Sequence, residues 1–310
     1  MLVIFGAAGA VGKAVGAQAK KRGIPTRVVG RRAAALRLAF GDDHELVTAD
    51  VTDQAQANIA AAGADSIVHA IGVPYNQFDL HPVLMQRVVD AARSQGVRKL
   101  VVVSSVYSYG QPAGALVDET HSRDPHTYKG RMRKLQEDIA LAANSSSLKT
   151  LVLRVPDFYS ADAENSLANE IFKAAREGKP APVLAPIDKP HEWVYTPDVG
   201  AVILDLLARD DVYGTAYNLA GAGTITTRDF AARTYEQYGQ ELRLRVVTTP
   251  MLRVLGLFNP VMRELVEMQY LQSNPVILDD AKLTRALGGI KKTSYADGIA
   301  DTIEGARALA

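Results

Sequence analysis

Short apolar runs alternate with segments of helical periodicity through the first half of the chain. The runs Leu2–Phe5, Arg27–Val29, Glu45–Val47, Ser66–Ile71, Leu100–Val103 and Thr150–Val155 are rich in β-branched residues and mostly lack polar alternation, as strands buried on both faces do. Between them, Ala10–Arg22, Asp53–Ala62, Leu80–Gln95 and Tyr128–Ala143 read as helices, three of them stopped by Gly23, Gly63 and Gly96. This rhythm predicts an α/β fold built on a doubly wound parallel sheet. After Pro156 the pattern turns irregular. Pro180, Pro182, Pro186 and Pro190 crowd into one segment, which predicts an ordered loop over a site. A helix over Pro197–Ala208 and a strand over Thr215–Leu219 follow; from Thr226 the chain reads as mainly helical, with one strand at Leu242–Val247. The expected division is a core of residues 1–155, to which 191–220 return, and a smaller lobe of 156–190 and 221–310.

Composition narrows the chemistry. Thirty-five Lys and Arg against 34 Asp and Glu leave a net charge of +1 over 310 residues, so no overall field favours nucleic acid or a membrane surface. There is no cysteine, which removes disulfides, thiolate nucleophiles and thiolate metal sites. The start Met1-Leu-Val-Ile-Phe5 has no basic stretch before it, and no apolar run reaches the ~18 residues of a membrane span. A soluble cytoplasmic chain with a small-molecule substrate is the expectation.

Directly after the first run comes Gly6-Ala-Ala-Gly9-Ala-Val-Gly12, and then a helix. A tight strand-to-helix turn needs residues that accept positive φ, and a pyrophosphate reaches backbone N–H groups only where no Cβ intrudes. Gly6, Ala8, Gly9, Ala10, Val11 and Gly12 are therefore candidate dinucleotide contacts; the competing explanation is that small residues merely pack the helix on the strand. The second strand ends Val28-Val29-Gly30-Arg31-Arg32. An NAD site usually carries an acid there for the ribose hydroxyl, whereas two guanidinium groups suit a 2′-phosphate. Arg31 and Arg32 thus favour NADP over NAD. Asp50 and Val51, after the third strand, are candidate adenine contacts, and Asp53 reads as a helix N-cap.

These features, with Ala70-Ile71-Gly72, the segment Ser104-Ser105-Val-Tyr107-Ser-Tyr109-Gly110, Leu153-Arg154-Val-Pro156-Asp-Phe158-Tyr159, Trp193-Val-Tyr195-Thr-Pro-Asp198 and Gly214-Thr-Ala-Tyr217-Asn218, resemble the short-chain dehydrogenase/reductase superfamily. The resemblance is to its extended, NAD-dependent epimerase/dehydratase type. It implies a Rossmann-type core with a smaller, mainly helical C-terminal substrate lobe. It also implies that Ala70, Ile71 and Gly72 line the cofactor and that Pro156 and Phe158 lie by the nicotinamide.

The catalytic centre departs from that family's pattern. Redox members use a Tyr acid/base with a Lys one turn later and a Ser or Thr on the substrate oxygen; an ammonium on the same helix face brings a phenol of pKa ~10 toward neutrality. Ser105 fits the hydroxyl role, but none of the twelve tyrosines has a Lys four residues on. Around His126-Thr-Tyr128-Lys129-Gly130-Arg131-Met132-Arg133-Lys134 two registers compete. Either Tyr128 keeps its role and Met132 replaces Lys, with Arg131 or a cofactor phosphate standing in, or Lys129 replaces Tyr and Arg133 replaces Lys. Met132, Leu135, Ile139 and Ala142 share a helical stripe, which predicts Met132 in the core and favours the second register. Solvated or phosphate-facing roles are expected for Arg131, Arg133 and Lys134. His69 reads as a satisfied interior histidine, Trp193 as packing and Tyr75 as a substrate contact. His191 and Glu192 lack further ligands at metal spacing. Leu252–Gln272 reads as lobe core or lid, with a homodimer face as the alternative. The expected activity is that of an NADP-dependent oxidoreductase or epimerase/dehydratase-like enzyme on a small hydroxy or carbonyl compound or nucleotide sugar. A non-catalytic NAD(P)-binding redox sensor is the alternative.

Overall fold

In the computed structural model, which describes residues 1–163 and 166–308, the apolar runs become β1 (Leu2–Phe5), β2 (Thr26–Gly30), β3 (Glu45–Thr48), β4 (Ser66–His69), β5 (Lys99–Ser105) and β6 (Lys149–Val155). They join the strand Thr215–Asn218 in one seven-stranded sheet ordered Thr215–Asn218, β6, β5, β4, β1, β2, β3. Every pairing in it is parallel. The order reverses direction between β1 and β4, which makes their carboxyl ends a switch point where such folds bind ligands.

Helices cover both faces. Leu2 and Ile4 of β1 point into one core with Val11 and Val15 of α1 (Ala10–Lys21), Leu36 of α2 (Ala33–Phe40) and Val199 and Ile203 of the helix Thr196–Leu207. Val3 and Phe5 point the other way, to Ala57 of α3 (Gln54–Ala61), Met85 of α4 (Leu80–Ser94) and Ala140 of α5 (Tyr128–Ala142). That alternation is the period of two inherent to a strand. The doubly wound reading of the sequence holds. α2 was not expected: it is eight residues long and buries only Leu36 and Phe40, so its periodicity is short.

The rest of the chain departs further from its expected pattern. Leu167–Arg176 is a helix. The proline-rich segment is not loop throughout: Ala181–Leu184 pairs in parallel with Leu244–Val247, and Pro190–His191 pairs with Ile225–Thr226. Two-stranded ribbons tolerate Pro where no ladder N–H is needed. Asp157–Tyr159 pairs with Trp193–Tyr195. A third apolar cluster gathers Tyr159, Phe172, Trp193, Phe230 and Tyr295. A fourth joins Val106 and Tyr109, just after β5, to Met268, Leu271, Val276 and Leu278, so the late helices close over the carboxyl edge of the sheet. Among the described residues no helix is long and apolar enough to cross a membrane.

Candidate functional site

The glycine turn sits at the switch point, and its three glycines differ. Gly6 has φ +81°, and a Cβ there would lie 2.7 Å from the Ala70 carbonyl; at Gly12 a Cβ would meet Gly6 O at 2.5 Å. Packing alone requires both. Gly9 is exposed, and its Cβ would meet only Gly6 O, at 3.4 Å. Packing does not explain it, and the space beside it leaves the backbone open to an approaching ligand. Gly9 is also the N-cap of α1, which has neither a side-chain cap nor an acid in its first turn, so its leading N–H groups suit an anion. Ala8 and Ala10 are half-buried beside it and Val11 is buried. Ala70 donates its N–H to Phe5 O, and Ile71 and Gly72 continue along the same edge.

Arg31 and Arg32 lie exposed at the end of β2, and neither forms an ion pair among the described residues. The Asp50 carboxylate accepts from Thr52 N at 3.0 Å and Thr52 Oγ1 at 2.8 Å; these bonds, with a smaller effect of Arg31, hold its pKa below the ordinary value. Val51 is buried in the second core. Asp53 caps α3 by accepting from Ala55 N and Gln56 N, the kind of cap worth ~1 kcal/mol.

Ser105 ends β5, in register with Val155. Its Oγ accepts from Tyr107 N at 3.4 Å and from Arg133 Nε at 3.3 Å. α5 approaches this corner through Gly130, where a Cβ would lie 2.7 Å from Tyr107 O, and Thr127 Oγ1 caps the helix by accepting from Gly130 N.

The buried face of α5 is polar. It comprises Lys129, Gly130, Arg133, Gln136, Glu137 and Ala140, while Leu135 is 44% exposed. The stripe through Met132 is therefore not core, and that expectation is corrected. The inward face is held by charge instead: Glu137, fully buried, accepts from Ser104 Oγ at 2.5 Å, Arg154 Nε at 2.9 Å, Arg154 Nη2 at 2.8 Å and Arg123 Nη1 at 3.0 Å. Such a network survives burial because both carboxylate oxygens have donors, one on Oε1 and three on Oε2.

Tyr128 is 46% exposed, whereas Lys129 is 1% exposed. Lys129 Nζ donates to Glu264 Oε2 at 2.5 Å and Glu267 Oε2 at 2.6 Å, and its backbone N–H donates to Glu267 Oε1 at 2.9 Å. The rings of Tyr75 and Phe78 lie 5.8 Å from the ammonium. Arg133 is not solvated: it is buried, donates to Gln136 Oε1 and packs against His81 Nδ1, and burial lowers its pKa to about 10. Arg131 is exposed and donates to His126 O, and Lys134 pairs with Asp138.

Tyr75 and Tyr107 share a hydroxyl contact of 2.9 Å, and burial raises both phenols above their ordinary pKa. His69 is buried but not satisfied. Neither ring nitrogen has a partner among the described residues, and burial, reinforced by Arg133, lowers its pKa to about 3. Pro156 follows β6, and Phe158 packs against the first core. Between them Asp157 Oδ2 lies 3.0 Å from His191 Nε2, and the His191 ring lies 4.3 Å from that of Trp193, which is buried in the third cluster. Of the expected lid, Leu252, Met268 and Leu271 are buried and Phe258 is exposed. Glu264 and Glu267, both on the helix Pro260–Met268, carry no signal in the sequence; only the fold sets them on Lys129.

Comparison with known proteins places this geometry in context. The model of the NAD dependent epimerase/dehydratase family matches residues 2–220. A 2′-dehydrokanamycin reductase of Streptomyces kanamyceticus is 27% identical over 150 residues, covering 47% of this chain and 43% of the relative. A uronate dehydrogenase of Pseudomonas putida is 29% identical over 145 residues, covering 45% of this chain and 53% of the relative. The chain thus matches about half the length of these relatives. Among solved structures, a UDP-glucuronic acid 4-epimerase from Bacillus cereus in complex with NAD superposes with a TM-score of 0.82 at 14% identity, over 99% of both chains. A dTDP-glucose 4,6-dehydratase from Streptomyces venezuelae with NAD gives 0.82 at 20% identity, over 99% of this chain and 97% of that one. At such identity these structures speak for the fold alone.

Proposed function

The chain belongs to the NAD-dependent epimerase/dehydratase family, and we propose that within it the protein is an NADP-dependent oxidoreductase acting on a small hydroxy or carbonyl compound. One observation carries the reading: the strand end bearing Ser105 and the buried polar face of α5 meet at the sheet edge where the glycine turn leaves room for a pyrophosphate. The residues present fit a dinucleotide, with the leading N–H groups of α1 for the pyrophosphate and Arg31 and Arg32 for a 2′-phosphate. Ala70, Ile71, Gly72, Pro156 and Phe158 would flank the rest. When bound, NADPH supplies a hydride. Ser105 Oγ then holds the substrate oxygen, with Lys129 beside it. Two of the three ammonium N–H groups of Lys129 go to Glu264 and Glu267, which leaves one to polarise that oxygen. Tyr128, on the outer side of the helix, is the alternative the substitutions decide. The names of the two relatives described above, a reductase and a dehydrogenase, support redox chemistry on a polyhydroxy compound.

The test is calorimetric titration. NADP(H) should bind ~1–3 kcal/mol more tightly than NAD(H), the worth of one or two charge-assisted contacts, and Arg31→Asp should reverse the order. Equal affinity for the two would overturn the preference. A second reading, a dinucleotide sensor without turnover, draws on the cover over Lys129. It predicts cofactor-dependent protease sensitivity with no NADPH oxidation by any sugar, uronate or aldehyde, whether Lys129 is present or replaced.

A further inference from the structure

The net charge of +1 conceals a local imbalance. From Leu242 to Arg263 the chain carries Arg243, Arg245, Arg253 and Arg263 and no Asp or Glu. All four arginines are exposed. Arg243 lies 3.9 Å from Glu241, whereas Arg245, Arg253 and Arg263 have no side-chain partner among the described residues.

The same stretch exposes apolar surface. The helix Thr249–Gly256 buries Leu252 and Gly256, one turn apart. Its last turn runs on, because Leu257 and Phe258 donate their N–H groups to Val254 O and Leu255 O. Met251, Val254, Leu255 and Phe258 therefore fall at i, i+3, i+4 and i+7 and form a stripe turned away from the buried pair. Val254 is 58% exposed, Leu257 79% and Phe258 86%. Single exposed apolar side chains are ordinary, but five within Met251–Phe258 make a patch that calls for a partner.

The patch cannot fold back into the lobe. The helix Thr249–Gly256 is joined by a short turn to the helix Pro260–Met268, and their backbones meet where a Cβ on Gly256 would lie 2.9 Å from Arg263 Cα. The second helix is fixed in turn by Met268 in the fourth cluster and by Glu264 and Glu267 on Lys129. Leu257 and Phe258 thus stand at the tip of an anchored helix pair. Arg253 lies one turn behind them on the first helix, and Arg263 lies on the second.

We propose that this helix pair docks the protein on an anionic phospholipid bilayer, with Leu257, Phe258 and the stripe in the headgroup–acyl boundary and Arg253 and Arg263 at the lipid phosphates. Apolar side chains next to unpaired cations match both components of such a surface, the acyl boundary and the negative headgroups. Docking of this kind requires no spanning helix. A second copy of the chain fits less well. A twofold interface sets a patch against itself, and here it would oppose unpaired arginines, while the next acids along the helix, Glu264 and Glu267, are already held by Lys129.

The test is co-sedimentation of the full-length protein with sucrose-loaded vesicles, either phosphatidylcholine alone or phosphatidylcholine with about 30% phosphatidylglycerol. Binding should require the anionic lipid. One arginine at such a surface is worth about fivefold in partitioning, so Arg253→Gln with Arg263→Gln should weaken binding by ~10–30-fold. Leu257→Ser with Phe258→Ser should weaken it by ~10-fold or more. Both pairs alter exposed side chains, so circular dichroism and Tm should stay as in the parent. No binding to the anionic vesicles, equal binding to phosphatidylcholine alone, or full binding by either folded variant overturns the proposal. Sedimentation velocity supplies the remaining arm: a dimer that dissociates in Leu257→Ser with Phe258→Ser, without vesicle binding by the parent, would assign the patch to a second copy and overturn it as well.

Discussion

Replacing Lys129 by Met removes the ammonium but keeps the length of the side chain, so it isolates the electrostatic tie between α5 and the helix Pro260–Met268. Lys129 is 1% exposed, and Glu264 and Glu267 are 24% and 25% exposed. Two charge-assisted hydrogen bonds would each be worth ~1.5–3 kcal/mol, and stripping one partner from a buried pair costs ~3–5 kcal/mol. The carboxylates keep some contact with water, and Met is relieved of the desolvation that Lys129 suffers. The expected net loss is therefore about 2–4 kcal/mol, or roughly 3–6 °C in Tm for a chain of this size. Scanning calorimetry on a double-mutant cycle tests the assignment, because Glu264→Gln with Glu267→Gln preserves shape while removing the negative charge. In that background Lys129→Met should cost about 1 kcal/mol or less, a coupling of ~2 kcal/mol. Additivity within ~0.5 kcal/mol would refute the reasoning, since it would mean the contact contributes nothing beyond packing. The same variants should separate the two helix positions: Lys129→Met should impair NADPH-dependent turnover, while Tyr128→Phe, on the exposed side, should leave it nearly unchanged.

Gly9→Val should abolish dinucleotide binding with the fold intact, because a Cβ at Gly9 meets only one atom at 3.4 Å; calorimetry showing retained binding by a folded variant would return the turn to a packing role. By the same measure Gly12→Ala should destabilise the protein, since its Cβ would sit 2.5 Å from Gly6 O, and an unchanged Tm would contradict that packing. Burial lowers the His69 pKa to about 3 from 6.5, so the unfolded chain binds a proton there that the folded one refuses. The stabilisation is present above pH 6.5 and is lost as pH falls toward 3, by ~1.4 kcal/mol per unit. Urea unfolding at pH 7 and pH 5 should show that slope, and His69→Met should reduce it; an equal slope in the variant would exclude His69 as its source.

The alternation of apolar runs and helical segments decided most of the architecture, because strands covered on both faces have no choice but to be continuously apolar. The turn Gly6–Gly12 was legible for the same kind of local reason: backbone sterics act within a few residues. So was the Asp53 cap. Ser105 could be picked out by its place after a strand. What the sequence could not display was the sign of a helix face. Met132, Leu135, Ile139 and Ala142 look like an inner stripe, yet α5 turns Lys129, Arg133 and Glu137 inward. The partners that make this tolerable, Arg154, Arg123, Glu264 and Glu267, lie 17, 14, 135 and 138 residues away from the groups they bind. Likewise Asp157 and His191, 34 residues apart, meet only because a ribbon pairs Asp157–Tyr159 with Trp193–Tyr195. Period and spacing report on solvation averaged along one element, whereas a buried charge is stabilised by whichever opposite charge the tertiary fold delivers. The chain by itself therefore determined the sheet and the glycine turn, and the tertiary structure alone decided which charges face inward.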